Sequence, residues 1–266
     1  MSEKSNMSFL GHLEELRWRL VRCAAAILVV GIAIWFVQEY IMDYLFLSML
    51  KSDFITFRIF CNILGVCVED VPVKMQSTTV SGQFSYAMML SILGGVVGAF
   101  PFIVYQLWKF IEPGLKVNEK NNIRGIVFYI SLLFFSGILF GYFVVAPLSV
   151  QFFGSFTISD QIENNFTINS YMSMILSTTF YCGLFFLLPV VSYFLTRIGL
   201  FRSDFLKKYR KHALVVILIL AAIITPPDVI SQIIVTIPIY ILYEISILVA
   251  VRAEKKREEE NKNAEA

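Results

Sequence analysis

The chain has 266 residues, of which 57 % are hydrophobic and 16 % charged, and its mean hydropathy is +0.71. A soluble domain runs about 45–50 % apolar and about 25 % charged, so this excess is too large for one buried core and points to a polytopic membrane protein. It excludes a disordered chain, a disulfide scaffold and most soluble enzymes. A net charge of +2 offers no basic face for nucleic acid, and four scattered cysteines make no metal or disulfide framework.

A helix needs about 20 apolar residues to cross a bilayer. In chain order, six stretches are candidates. They are about 20–36; about 84–107, which Pro101 is expected to break; about 126–145, ended by Pro147; about 171–195; the short 213–224, stopped at Pro226-Pro227; and about 230–251, which holds Pro238. Their apolar runs are continuous rather than alternating, which makes them helices and not barrel strands. No small-residue cleavage site follows the first run, so it is read as a retained span. The expectation is an all-α membrane protein with one six-span domain over 1–252 and a charged, disordered tail over 253–266.

Of the 22 basic residues, 19 lie before or in the first turn of the first span, after the second, after the fourth or in the tail; the other loops hold only Lys51, Arg58 and Lys74. That asymmetry places both termini in the cytoplasm. The first outer segment, 38–83, is amphipathic and is expected to lie on the outer membrane surface or to cap the bundle. Cys61 and Cys67 sit in it on the oxidising side, at a spacing that permits a disulfide without requiring one. Cys23 and Cys182 read as packing residues within spans. The fifth span reaches only about 20 Å, against a hydrocarbon core about 30 Å thick. Either the bilayer thins or the helix sits against water-filled protein, or Lys207 and Lys211 extend the span by snorkelling; the sequence leaves these readings open.

Ser8 is placed to cap a helix on which Phe9, Leu13, Leu16 and Leu20 form one apolar stripe. This helix is expected to lie along the cytoplasmic interface and run into the first span, with Glu14 and Glu15 on or beside its polar face. On spacing alone Glu15 reads first as an i,i+4 partner of Arg19, and His12 as a surface residue. After the second span, Trp108 and Phe110 fit an interfacial aromatic belt and Pro113-Gly114 marks a turn. Glu119 reads either as a carboxylate favoured by a helix dipole or as a second acceptor for cations beside Glu15. Asp228 reads as the cap of the last helix. Glu244 lies inside the last span, where a charge is costly unless it faces a bundle interior or water, and reads equally as structural or functional.

With two histidines and no HExxH, Walker loop or GxSxG, there is no catalytic constellation, so no enzyme, metal or cofactor is expected. Energy input would have to come from an ion gradient or a partner. The alternative class is a small-solute secondary transporter or channel. It would need several polar residues along a path, and only Glu244 qualifies clearly; paired broken helices are missing too.

Several segments together carry a family resemblance. His12-Leu-Glu-Glu-Leu-Arg-Trp-Arg-Leu20 resembles the N-terminal signature of TatC, the receptor subunit of the twin-arginine protein translocase. Phe100-Pro-Phe-Ile-Val-Tyr-Gln-Leu-Trp-Lys-Phe-Ile-Glu-Pro-Gly-Leu115, followed by Glu119, resembles its second span and loop. Tyr142-Phe-Val-Val-Ala-Pro-Leu148, Thr225-Pro-Pro-Asp-Val-Ile-Ser-Gln232 and Pro238-Ile-Tyr-Ile-Leu-Tyr-Glu244 resemble the ends of its later spans. The resemblance implies a curved, glove-like bundle of six transmembrane helices in the cytoplasmic (inner) membrane of a prokaryote. It implies binding of twin-arginine signal peptides at the cytoplasmic face, with Glu15 and Glu119 as the signal-binding carboxylates and Arg17, Trp108 and Phe110 in the same candidate set. Glu244, Gln232 and Asp228 form a second candidate set, for intramembrane or partner contacts. Partners implied are the single-span TatA and TatB subunits and further copies of the chain. Folded cargo would pass outward, driven by the proton-motive force. One departure is plain: many members carry Glu or Gln before a residue–proline pair in the fourth span, and here Leu188 stands in Phe185-Phe-Leu-Leu-Pro189.

Overall fold

The computed structural model describes residues 9–65, 74–111, 123–159, 165–197, 199, 201–224 and 229–265. Helix α1 spans Phe9–Ile41 and passes without interruption from the interfacial stripe into the first apolar run. A π-turn (Met42–Phe46) and a 3-10 turn (Leu47–Leu50) lead to α2 (Ile55–Leu64) and a short strand β1 (Lys74–Gln76). Helix α3 covers Gly82–Ile111 and α4 Ile123–Phe140; a π-turn at Gly141–Val145 joins α4 to α5 (Ala146–Ser155). Strand β2 (Asn165–Thr167) precedes α6 (Ile168–Phe185), α7 (Leu188–Arg197), α8 (Ser203–Lys208), α9 (Arg210–Ile224) and α10 (Val229–Glu265). Among the described residues, five segments are long and apolar enough to cross a membrane: Leu13–Asn62, Gly82–Phe110, Gly125–Ser155, Ile168–Arg197 and Gln232–Glu259. Helix α9, on the stretch expected as the short fifth span, has 15 residues and rises only about 22 Å.

Prolines act differently from expectation. Pro101 lies inside α3, which continues to Ile111. A proline removes one N–H, whereas unwinding the span would strand several backbone groups in hydrocarbon. Pro147 does not end the third span. The π-turn before it restarts the helix, so the ring falls in the first turn of α5, where a missing N–H costs nothing. Pro189 does interrupt: the fourth span breaks between α6 and α7, and Val190 N–H returns to the Leu187 carbonyl at 2.9 Å. Helix α10 runs on through the charged C-terminal segment to Glu265. Its Glu, Lys, Arg and Ala residues favour helix, and opposite charges recur at i,i+4, as in Lys255 and Glu259. Its first turns are also tied down. Glu254 accepts from Ser203 N–H at 3.0 Å and Arg257 donates to the Thr196 carbonyl at 3.3 Å. The turn beneath Arg257 favours Gly199 because its φ of +83° lies in the left-handed region that L side chains rarely adopt.

The chain forms two compact units, residues 1–41 with 83–132 and residues 42–82 with 133–266. In the first, α1 and α3 touch backbone to backbone. A Cβ on Gly95 would lie 2.7 Å from the Ile27 carbonyl oxygen, and one on Gly31 2.9 Å from that of Ser91. Small residues permit this approach, which replaces the hydrophobic drive that lipid cannot supply. The opposite flank of α1, including Leu28, Val29, Ile32 and Phe36, is exposed, as a lipid-facing helix requires.

In the second unit the core is Val145, Cys182, Ile217, Ala221, Val235 and Ile239, with Phe140, Phe185, Leu188, Tyr240 and Tyr243 packed against it. Leu188, at the position where many relatives of the expected family are polar, is thus part of an apolar contact. The segment between α1 and α3 packs onto this unit rather than extending away. Met49 and Phe57 are buried, and Phe54 stacks on Phe143 at 6.1 Å. Thr56 donates to the Phe143 carbonyl, Tyr171 to that of Phe46, and Tyr142 to that of Leu45 at 2.8 Å. Strands β1 and β2 pair in parallel with Lys74 opposite Asn165, a two-stranded ladder that the all-helical expectation did not include. Cys61 is disulfide-bonded, whereas Cys23 and Cys182 are free and buried. Cys67 lies outside the described residues.

The α1–α3 contact makes Gly95→Leu a test of the first unit. The added side chain must displace backbone, so we expect a loss of about 1–3 kcal/mol, read as a lower unfolding temperature in detergent. Gly65→Asn, at a left-handed helix cap with open space around it, should leave that temperature near wild type.

Candidate functional site

At the N-terminal end of α1, Leu16 is half-buried, Leu13 and Leu20 are exposed, and Glu14 is exposed. Glu15 is intermediate in exposure and Arg19 is one turn further on. Arg19 donates both Nε, at 3.0 Å, and Nη2 to Oε1 of Glu15. Its Nη1 reaches α3, to the Gln106 backbone carbonyl at 3.4 Å and side-chain oxygen at 3.5 Å. Gln106 is buried and Arg19 only 14 % exposed, so the guanidinium is a fixed bridge and not a roaming surface charge. Both Arg19 bonds land on Oε1, and Oε2 of Glu15 has no partner among the described residues. The expected i,i+4 pair therefore exists, and it also orients the carboxylate.

The other residues of this set are distributed unevenly. Arg17 is exposed and makes no ion pair among the described residues. Trp108 is buried at 4 % exposure and Phe110 is half-buried, so Trp108 packs within its unit and Phe110 keeps some surface. Lys109 lies over the Tyr105 ring, 5.0 Å from its centroid. Glu119 lies outside the described residues, as does the side chain of His12. Two residues that sequence reasoning passed over, Arg19 as a bridge and Gln106 as its anchor, become visible only when α1 and α3 are side by side.

The second set behaves differently. Gln232 donates its amide to the Leu218 carbonyl at 3.0 Å and so ties α10 to α9. Glu244 is not an isolated charge. Arg210, at the start of α9, donates to Oε2 at 2.9 Å, and the Tyr240 hydroxyl to Oε1 at 3.2 Å. Tyr243 alongside donates to the Leu206 carbonyl at 2.8 Å. The short α9 brings Arg210 level with Glu244, a pairing that separation by 34 residues hides in the sequence. Asp228 lies outside the described residues. Among the described residues no group of three or more His, Cys, Asp or Glu could hold a metal.

The sequence profile of the family described as Sec-independent protein translocase protein (TatC) matches residues 11–238. The chain belongs to the TatC family. A TatC from Blattabacterium sp. subsp. Periplaneta americana is 38 % identical over 96 % of this chain and 99 % of its own. A TatC from Helicobacter pylori strain J99 is 37 % identical over 90 % of this chain and 87 % of its own. TatCy of Bacillus subtilis is 34 % identical over 95 % and 92 %. A crystal structure of the twin-arginine translocase receptor TatC superimposes with a TM-score of 0.72 at 30 % identity, covering 91 % of this chain and 99 % of that one. A second, in the detergent DDM, gives 0.73 at 28 % identity over 90 % and 99 %. The all-α membrane fold expected from the sequence is thus the TatC fold, and the chain is a multi-pass subunit of a bacterial Sec-independent protein translocase.

Arg210 and Glu244 are both more than a third exposed, at 48 % and 36 %. A double-mutant cycle with Arg210→Ala and Glu244→Ala, read by unfolding in detergent, should therefore give a coupling of only about 0.2–1 kcal/mol. A coupling of several kcal/mol would show the pair to be desolvated in the membrane.

Proposed function

We propose that this TatC is the translocase subunit that receives twin-arginine signal peptides, with Glu15 and Glu119 as the carboxylates that meet the two arginines. The observation that carries the reading is the half-occupied carboxylate of Glu15. Arg19, held by Gln106, fixes Oε1, and Oε2 keeps its lone pairs for an incoming guanidinium. Pre-orientation lowers the entropy lost on binding. A guanidinium offers paired N–H donors in a planar fork, which a lysine ammonium cannot copy. Arg19 also puts a positive charge beside the site, so one carboxylate alone is a weak acceptor for a second cation. That favours a second carboxylate such as Glu119 and a ligand that brings hydrogen bonds as well as charge. Arg17, exposed and without an acid, is placed to meet acidic or backbone groups of the same peptide. Phe110, half-buried near the end of α3, is proposed to offer apolar surface to the same peptide, and Trp108 to support it from within its unit.

The site stands at the end of α1 where basic residues gather, which the charge asymmetry assigns to the cytoplasm together with the C-terminus. Assembly with TatA- and TatB-type subunits, and with further copies of the chain, completes the proposed translocase. Gln232 keeps its amide oxygen for such a helix after its nitrogen has bonded to Leu218. Glu244, already paired, is the weaker candidate, and Asp228 belongs to the same proposal. Transport energy comes from the proton-motive force in this reading.

Signal binding is tested with a peptide carrying Arg-Arg and its Lys-Lys twin, against the wild type and Glu15→Ala/Glu119→Ala. Loss of a charge-assisted fork is expected to weaken Arg-Arg binding roughly ten- to a hundredfold (about 1.5–3 kcal/mol) and to erase the preference. Equal affinity for both peptides, unchanged in the double variant, would remove the site. Sidedness is checked by an impermeant maleimide on intact cells. Ser159→Cys should label at once and Ala266→Cys only after lysis.

A further inference from the structure

We infer that the junction of α8 and α9 is a binding surface for the headgroups of anionic phospholipids. Four rings form one continuous strip there. Phe201 stacks on Phe205 at 5.4 Å, with planes 10° apart. Phe205 lies 4.5 Å from Tyr209, and Tyr209 meets His212 edge-on at 5.3 Å. Phe201, Phe205 and Tyr209 are 38 %, 47 % and 37 % exposed, so the strip is ordered yet uncovered. In water such a strip would be a liability. At the headgroup level of a bilayer, amphipathic and aromatic rings are at home.

Continuity along the chain says that the bilayer is what covers it. The residues that follow on α9, Leu214, Val215, Val216, Ile219 and Ile223, are exposed and apolar, the flank that lipid tails must cover. The strip therefore sits at the margin of the hydrocarbon and not out in solution. The helix is also short: its 15 residues rise about 22 Å against a core of about 30 Å. Headgroups must be drawn toward it, or long side chains must reach out to them.

The charge of the patch selects the headgroup. Lys207 is taken by Asp204 at 3.3 Å and Arg210 by Glu244 at 2.9 Å. Arg202 is exposed and acts on the Glu254 carboxylate beside it, whereas Lys208 and Lys211 are exposed and have no acidic partner among the described residues. Two uncompensated cations beside rings at headgroup depth match a phosphodiester that bears a net negative charge, as in phosphatidylglycerol or cardiolipin, and not a zwitterionic headgroup. Membrane orientation by positive charge needs the cations alone; it does not need a stacked strip. An acidic polypeptide would satisfy the cations but would leave unexplained why the strip merges with the lipid-facing flank.

The test is lipid selection by the full chain in nanodiscs of phosphatidylcholine with a minor share of phosphatidylglycerol. Retained lipid is counted by native mass spectrometry on release into detergent. The wild type should enrich phosphatidylglycerol over its share in the disc, and Lys208→Gln/Lys211→Gln should return the ratio to that share, at up to about fivefold for each cation removed. Lys208→Arg/Lys211→Arg should keep the enrichment, and Phe205→Ala/Tyr209→Ala should reduce retention of both lipids. If the glutamine variant fails to fold, the wild type still decides, because enrichment must fall between about 0.05 M and about 1 M salt. Equal ratios in the wild type and the folded glutamine variant, or enrichment insensitive to salt, would overturn the assignment. So would a polyglutamate peptide that binds in lipid-free detergent and displaces the anionic lipid.

Discussion

Hydrocarbon offers no water to a stranded peptide group, and each N–H and C=O at membrane depth must find a protein partner. The long helices meet that demand by themselves. The places where the helices depart from regularity meet it with hydroxyl groups from neighbours. The π- and 3-10 turns after α1 expose the carbonyls of Leu45 and Phe46, which take the hydroxyls of Tyr142 and Tyr171. The π-turn at Gly141–Val145 frees the Phe143 carbonyl, which takes Thr56. The irregular segments of the second unit thus hold one another, and the covering segment between α1 and α3 is part of that exchange. Removing the Tyr171 hydroxyl would leave the Phe46 carbonyl without it in a buried place, which costs more than the bond itself contributes.

Charge follows the same logic at the ends of the helices. Arg19 spans from Glu15 to Gln106, and Arg210 spans from α9 to Glu244. Each guanidinium both satisfies a carboxylate and ties two helices together. The two differ in what is left over. The Glu15 carboxylate retains an oxygen without a partner among the described residues, whereas both oxygens of Glu244 accept bonds. That difference, more than their shared chemistry, separates a candidate ligand site from a structural one. Leu188, at the position noted from the family resemblance, packs against the apolar core of the second unit.

Much of the architecture was legible in the residues alone. Six apolar runs, the asymmetry of lysine and arginine, the shortness of α9 and the stripe on α1 are properties of local composition and period, and local sequence determines them. The family signatures added candidate residues, of which Glu15 is described with its full surroundings. Proline was misjudged twice because its effect depends on what surrounds the missing N–H. At Pro101 the membrane makes unwinding worse than one lost bond, and at Pro147 a π-turn resets the helix so that the ring falls at a first turn. The docking of Glu254 and Arg257 onto the α7–α8 turn is a long-range event that no local pattern announces.

The sequence by itself determined that the chain is a multi-span helical protein and to which family it belongs, because hydrophobic length and signature motifs are written within short windows. Tertiary structure decided which charges are paired, which oxygen of Glu15 stays open, that Gln106 anchors Arg19, that Arg210 answers Glu244, and that β1 pairs with β2. Those outcomes depend on groups brought together from distant parts of the chain, and no local pattern of residues encodes that proximity.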